Sequence, residues 1–468
     1  MIEFILNNKP ISTNSNSGMT LLDFVRYKNR LTGTKIGCRE GDCGVCTVLV
    51  GTLKNGLVTY KSITSCISPL ANAQGKHIVT IEGVNLPKDL NITQFAIKEN
   101  HASQCGFCTP GFVVSLTGFA LSDANKNMEN ALDSIGGNIC RCTGYKSIER
   151  AVQEICETLE SVANKDQVQS LIDGNFIPEY FSEIPNRLQK LNVTKTIKSS
   201  APFVSGGTDL YVQKADDLID ASIDSIAESE VLKGVYFEDN ICTIGAGTTV
   251  SELWNHAELN NCFPNLRSHL KLVSSEQIRN MASLGGNLVN ASPIGDMTIF
   301  FLALNSEITL IDSTKNERQL FLKDFYKGYK TFDLKEGELI KNIQFQLPSE
   351  YSNFNFEKVS KRTHLDIASV NTAISFQLKD TIISKAHVSI GGVAAIPKYL
   401  HETSSILNGK MLSKELILLA SEILQEEISP ISDVRGSSDY KRLLARQLFF
   451  SHFTELFPKQ IQLNHLLA

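Results

Sequence analysis

Along the chain the spacing of apolar positions changes character several times. Residues 1–83 are built from short β-rich runs. EFILNNKPIS and CTVLVGTL read as strands, Asn7 and Asn8 turn the first hairpin, and HIVTIEG closes the unit. One helix interrupts them, TLLDFVRYK, with Leu21, Leu22, Phe24 and Val25 at helical spacing. Over 84–160 the period becomes helical in LNITQFAIKENHA, PGFVVSLTGFALSDA and YKSIERAVQEICETLESVA. Pro110 sits where a helix would start and Gly144 precedes another. Residues 161–198 are polar and broken by Pro178 and Pro185, which predicts a linker. Over 199–350 strand-like runs (APFVSGG, CTIGAGTTV, ITLIDS) alternate with helical ones (VSELWNHAEL, EQIRNMA). Residues 351–468 open on strands (FNFEKVS, NTAISFQL, KAHVSIGGVA) and end in helices through SSDYKRLLARQLFFSHFTELF. The expectation is an α+β multidomain chain without internal repeats.

Composition narrows the function classes. At 468 residues the chain exceeds one core. Its 42 % apolar and 20 % charged content is that of globular protein. A net charge of −5 argues against a nucleic-acid partner, which would want a basic face. No apolar run is long enough to span a bilayer. The opening MIEFILNNKP lacks a basic n-region and a cleavage site, so no signal peptide and no membrane are expected. A reducing cytoplasm follows, in which the eleven cysteines serve as thiols or metal ligands.

Eight of those eleven fall within the first 142 residues. Cys38-x4-Cys43-x2-Cys46, with Cys66 further on, is the plant-type spacing for a [2Fe–2S] cluster. Four thiolates must reach two irons while the backbone wraps close enough to donate N–H groups to sulfur. Gly37, Gly41 and Gly44 allow φ > 0 and a close approach there. A zinc knuckle would use paired C-x2-C units, and a disulfide would need oxidising surroundings; both fit the triplet poorly. The second set is Cys105-x2-Cys108 and Cys140-x-Cys142, in SQCGFCTPG and GNICRCTGY. Each pair precedes a helix, where a cluster's negative charge is favoured. Taken alone this set could bind zinc; beside a first cluster, a second [2Fe–2S] centre is the better reading. Cys156, Cys242 and Cys262 are scattered and read as small buried hydrophobes.

Two glycine-rich loops follow, PFVSGGTDLYV and ASLGGNLVNASPIGD. Neither is G-x-G-x-x-G, so a Rossmann site is not supported. Glycine pairs flanked by Thr, Ser and Asn can bring backbone N–H groups against a pyrophosphate; each loop also reads as a plain turn.

The combination of a ferredoxin-like unit with QCGFCTPG and NICRCTGY resembles the xanthine dehydrogenase / aldehyde oxidase / carbon-monoxide dehydrogenase family of molybdenum hydroxylases, over essentially the whole chain. The resemblance implies a β-grasp plant-type ferredoxin domain (1–83) and a four-helix [2Fe–2S] domain (84–160). Beyond the linker (161–198) it implies a vanillyl-alcohol-oxidase-like, PCMH-type FAD domain (199–350) and an α+β C-terminal flavoprotein domain (351–468). It further implies that Phe203, Val204, Ser205, Gly206, Gly207, Thr208, Asp209 and Leu210 line the adenine and pyrophosphate of FAD. Ser283, Leu284, Gly285, Gly286 and Asn287, with Ser292 and Asp296, would hold the rest, and Ile340 and Lys358 match further flavin contacts. Val273 stands where animal relatives carry a Phe. Arg362 and Asp366 match the segment near which NAD+ docks, although a solvated charged turn reads equally well.

The family oxidises its substrate at a molybdenum–pterin centre on a further domain. The chain is therefore expected to be the iron–sulfur/FAD small subunit of a split xanthine dehydrogenase. Its partner would be a molybdopterin-binding large subunit, in a heterodimer that pairs into a dimer of heterodimers, with Gln104 and Cys142 facing the pterin. Catalytic substrate oxidation is expected on the partner and electron transfer to NAD+ on this chain. The alternatives are the corresponding subunit of an aldehyde oxidoreductase or aromatic acyl-CoA reductase, and a stand-alone electron-transfer flavoprotein.

Overall fold

The computed structural model describes residues 1–162, 167–191, 202–349, 352–362 and 365–467. Two compact units divide it: Met1–Ala227 with Ser275–Ala282, and Glu228–Ser274 with Ser283–Ala468.

The first unit begins with a five-stranded sheet in the order Lys9–Thr13, Ile2–Leu6, His77–Val79, Thr47–Lys54, Leu57–Thr64. Ile2–Leu6 runs parallel to His77–Val79; the other neighbours are antiparallel. Thr20 caps a helical turn at Leu21–Asp23 by accepting from the Asp23 amide, and the turn continues as a π-helix over Phe24–Lys28. Leu21, Leu22, Phe24 and Val25 pack with Phe4, Val48 and Ile78 in one core. A sheet gripping one helix is the expected β-grasp.

Four helices follow, Ile92–Glu99, Thr109–Leu121, Met128–Ser134 and Lys146–Val162. Asn91 and Gln94 form a reciprocal capping box on the first. Thr109–Leu121 is buried continuously from Gly111 to Leu121, which is why its sequence is apolar all round.

The expected linker is partly structured. Gln167–Asp173 and Ile184–Gln189 are helical, and Phe176, Ile177 and Phe181 are buried in the core of the four helices. With Leu171 in the same core and Ile184 and Leu188 buried against Ile5, six apolar side chains dock the segment, so prolines there mark helix starts, not an extended spacer. Residues 163–166 and 192–198 of that stretch lie outside the described residues.

The start of the 199–350 segment also clusters with the first unit. Phe203–Val204 pairs in parallel with Asp224–Ser225. Val204, Tyr211, Leu218, Ile223 and Met281 share a core with Cys46, Cys66 and Ile67.

The second unit holds a five-stranded antiparallel sheet in the order Glu317–Phe321, Glu307–Ile311, Leu339–Gln346, Ile241–Gly245, Val235–Glu238. A further sheet runs Ser352–Val359, Val370–Lys379, Ile382–Gly391, Lys398–Tyr399. Helix Asp296–Ala303 packs on Val370–Lys379 and Ile382–Gly391 and is buried from Met297 to Ala303. Ser438–Leu456 covers Ser352–Val359 and Val370–Lys379. Among the described residues no helix is long and apolar enough to cross a membrane.

Candidate functional site

The first thiol set is assembled by the loop between the Phe24–Lys28 turn and strand Thr47–Lys54, plus Cys66 from the end of the hairpin. Gly41 and Gly44 take φ of +80° and +67°. Gly37 does not need positive φ; a Cβ there would stand 2.7 Å from Cys43 Sγ, so its role is space. Arg39 adopts φ 59° and is held by two hydrogen bonds to Asp23, at 2.7 and 3.1 Å.

The sulfurs converge. Cys38 stands beside Cys43 and Cys66, and Cys46 beside Cys66. Donation from Cys43, then Cys66, drives the Cys38 thiol far down, and the shared proton raises Cys43. Cys66 lowers Cys46 and is itself raised by Cys38 and Cys46. Backbone N–H groups of Glu40 and Asp42 each approach Cys38 Sγ at 3.3 Å, and that of Cys38 approaches Cys43 Sγ at 3.4 Å. Four neighbouring thiols with backbone N–H groups on two of the sulfurs fit metal-bound thiolates.

The second set lies on exposed turns. Cys108 caps helix Thr109–Leu121, and Cys140 and Cys142 shortly precede Lys146–Val162. Gly106 (φ +78°) and Gly144 (φ +64°) shape the turns. Cys142 Sγ and Cys105 Sγ are 3.6 Å apart, and Cys108 neighbours Cys140. Burial, then Cys140, pushes the Cys108 thiol up to about 12. Burial opposes the lowering of Cys140, which the Thr143 hydroxyl (3.0 Å) and amide (3.4 Å) bring about. Cys105, Cys142 and Gln104 are all exposed. The thiols neighbour each other in pairs, Cys105 with Cys142 and Cys108 with Cys140, a set of four that can hold a metal centre.

The two glycine loops fall in different units. In the first, Gly206 and Gly207 are buried and packed without room for a side chain. A Cβ on Gly206 would lie 2.0 Å from the Met281 carbonyl oxygen, and one on Gly207 (φ +82°) would lie 2.7 Å from that of Ile67. Gly207 therefore rests against the residue that follows Cys66. Asn72 Nδ2 donates to the Ser205 carbonyl at 2.8 Å. Val204 gives its side chain to the core, while Phe203, Ser205, Thr208 and Asp209 are half-buried and Leu210 is exposed.

In the second unit, Ser283 caps helix Leu284–Asn290 by accepting from the Gly286 amide. The Leu284 and Gly285 amides bond to the Thr248 and Ala246 carbonyls at 3.1 and 2.7 Å. Gly285 is tight against Ala246, whereas a Cβ on Gly286 would meet only Ser283 Oγ, so that face is open. Ile340 is buried on a strand whose next residue, Lys341, accepts from the Ala246 amide. Asn287 Oδ1 accepts from the Thr298 amide and hydroxyl, both at 3.1 Å, and Ser292 Oγ accepts from the Ile294 amide at 3.4 Å. Lys358 Nζ donates to Asp296 Oδ2 and to the Leu272 carbonyl, each at 2.7 Å, beside the buried Val273. The Leu284, Gly285, Gly286 and Asn287 amides are thus bonded within the protein, and what this loop leaves for a flavin nucleotide is the open face of Gly286.

Sequence reasoning missed Asn371, whose Nδ2 donates to Asp296 Oδ1 at 2.6 Å, and Gly391 and Gly392, which seat Pro293 and Ile294. The Gly-Gly of KAHVSIGGVA was the available signal. Tyr145, whose hydroxyl accepts from the Cys140 amide at 3.0 Å, was missed too. Arg362 and Asp366 bond to each other, with Nε at 2.8 Å from Oδ1; Thr363 and His364 between them lie outside the described residues. Cys156 and Cys242 are buried as expected, and Cys262 is half-buried.

Four family models match in order along the chain. They are the 2Fe-2S iron–sulfur cluster binding domain (4–70) and the [2Fe-2S] binding domain (80–153). The FAD binding domain in molybdopterin dehydrogenase (176–349) and the CO dehydrogenase flavoprotein C-terminal domain (356–456) follow. Xanthine dehydrogenase 1 of Arabidopsis thaliana is 28 % identical over 93 % of this chain and 38 % of its own length. Aldehyde oxidase 1 of Bos taurus is 26 % identical over 97 % of this chain and 39 % of its own length. The chain thus spans about two-fifths of these relatives. Among solved structures, a carbon monoxide dehydrogenase from Hydrogenophaga pseudoflava has a TM-score of 0.53 at 22 % identity, over 56 % of this chain and 92 % of that one. Quinoline 2-oxidoreductase from Pseudomonas putida 86 has a TM-score of 0.50 at 23 % identity, over 55 % and 90 %. At these identities the structures speak for the fold. With both iron–sulfur models followed by both flavoprotein models on one chain, the protein belongs to the iron–sulfur/FAD flavoproteins of the molybdopterin-dehydrogenase superfamily.

Proposed function

We propose that this chain is the electron-transfer part of a molybdenum hydroxylase of the xanthine dehydrogenase type, working with a molybdopterin-binding large subunit in a reducing, cytoplasmic compartment. The observation that carries the proposal is the gathering of both cysteine sets and the Gly206–Gly207 loop in one compact unit, with Gly207 packed on Ile67 beside Cys66.

When bound, two [2Fe–2S] clusters supply single-electron carriage, and FAD supplies the exchange between single electrons and a hydride. The chain's residues do the positioning. Cys105, Cys108, Cys140 and Cys142 hold one cluster at the surface, where Gln104 and Cys142 are exposed to face a pterin-bearing partner. Cys38, Cys43, Cys46 and Cys66 hold the other nearer the Gly206–Gly207 loop. Lys358, desolvated beside Asp296, would be the cation that steadies negative charge on a reduced flavin. Arg362 and Asp366 lie on the segment assigned to NAD+, and purine hydroxylation is assigned to the partner. The aldehyde oxidase relatives favour a second reading, in which the same chain serves aldehyde oxidation.

Anaerobic purification with metal and flavin analysis tests the proposal. About four irons and one FAD per chain, a co-purifying molybdenum polypeptide, and reduction of bound flavin by NADH are the expected results. Zinc in place of iron, or a colourless chain, overturns it. Turnover with aldehydes and not purines selects the second reading, and absence of any molybdenum partner points to a stand-alone flavoprotein.

A further inference from the structure

The carbonyl of Gly44, between Cys43 and Cys46, is held by three donors. These are the Thr47 amide at 3.1 Å, the Thr47 hydroxyl at 2.6 Å and Asn138 Nδ2 at 2.9 Å. A trans peptide sets its C=O and the following N–H in opposite directions. Pinning the Gly44 oxygen therefore fixes the direction of the Val45 N–H, which faces Cys43 in the loop where the Cys38 amide also approaches Cys43 Sγ at 3.4 Å.

Asn138 is oriented in its turn. Its Oδ1 accepts from the Ser115 hydroxyl at 2.8 Å and from Gln277 Nε2 at 3.2 Å. Gln277 Nε2 also approaches Ser115 Oγ at 3.0 Å and the Ser134 carbonyl at 2.9 Å. Gln277, Asn138, Ser115 and Thr47 are all buried, at 0 to 4 % exposure, so a reversed amide would lose its partners without water to replace them. Two glycines make room for the network. A Cβ on Gly111 would lie 2.3 Å from the Gly44 oxygen, and one on Gly137 would lie 2.2 Å from Gln277 Oε1.

We infer that Gln277 and Asn138 are positioning residues for the first cluster site: through Gly44 they fix the Gly44–Val45 peptide between Cys43 and Cys46 with its N–H toward Cys43, and thereby raise the reduction potential of the centre bound there. The physical reason is that an N–H donated to a cluster sulfur stabilises the extra negative charge of the reduced state. Gln277 belongs to the segment matched as FAD binding domain, yet it clusters with the iron–sulfur unit. The segment of chain assigned to the electron acceptor thus tunes the donor. The inference rests on the cluster assignment proposed above.

The test is a dithionite titration of the full-length holoprotein, followed by electron paramagnetic resonance. Gln277→Met and Thr47→Val each lower the one-electron reduction equilibrium of the first centre about tenfold, which is about 59 mV. Thr47→Ser, which keeps the hydroxyl, retains the wild-type potential, and the second centre is unmoved in Thr47→Val. Full iron in Gln277→Met with an unchanged potential and line shape overturns the inference, as do equal shifts in Thr47→Val and Thr47→Ser. If Gln277→Met fails to take up iron, the Thr47 pair decides. Wild-type protein without iron is a separate outcome, which removes the cluster assignment itself.

Discussion

Lys358 Nζ lies 2.7 Å from Asp296 Oδ2, with the lysine side chain 1 % exposed and the aspartate 14 %. Asn371 and the Leu272 carbonyl complete the shell. A pair so desolvated stabilises little by existing but costs much to break, because either partner left alone is an uncompensated buried charge.

Lys358→Met is expected to lower stability by about 3–5 kcal/mol and to leave the purified chain depleted of FAD. Urea unfolding and flavin absorbance check it. Asp296→Asn with normal stability and full flavin would contradict the coupling.

Cys66→Ser should remove one centre and spare the other, halving an iron content of about four per chain. The two thiol sets share no ligand, so the remaining resonance signal should match the wild-type second centre. Loss of all iron would mean that the sites are not independent.

Gly207→Ala forces a side chain into φ +82° and to within 2.7 Å of the Ile67 carbonyl oxygen. The backbone alone costs about 1–3 kcal/mol. Weaker FAD binding is expected, along with a disturbed first centre, since Ile67 follows Cys66. Gly144→Ala, with open space around its Cβ position, should perturb the flavin not at all.

His77 is buried; its Nε2 donates to the Asn7 carbonyl at 2.9 Å, so Nδ1 of the neutral ring accepts from the Tyr60 hydroxyl at 2.8 Å. Burial brings it down to about 3. Below about pH 6.5 the unfolded chain binds a proton that the native chain refuses, so this stability is complete above 6.5 and falls on acidification. The contribution is about 1.4 kcal/mol per pH unit. His77→Gln, less stable at pH 7, should show a slope shallower by that amount in denaturation between about pH 4 and 6.5.

The cysteine spacings, the hairpin at Asn7 and the helix from Thr109 were legible from sequence because each is local. Thiol spacing limits which sulfurs can reach one cluster, a turn needs particular residues at particular positions, and an apolar helix announces burial. Helical docking of Gln167–Gln189 was not legible, because prolines and polar residues mask six buried anchors. Nor was the placement of Ser275–Ala282 with the iron–sulfur unit. Gln277, Asn138 and Gly44 lie far apart in the chain, and an amide in a sequence carries no sign of which donor or acceptor will meet it. The same holds for Lys358 and Asp296, whose pairing depends on two elements brought together only by folding. What the sequence by itself determined were the ligands and the order of the domains. Tertiary structure alone decided which polar groups aim the backbone at those ligands, because hydrogen-bond direction is a property of three-dimensional packing.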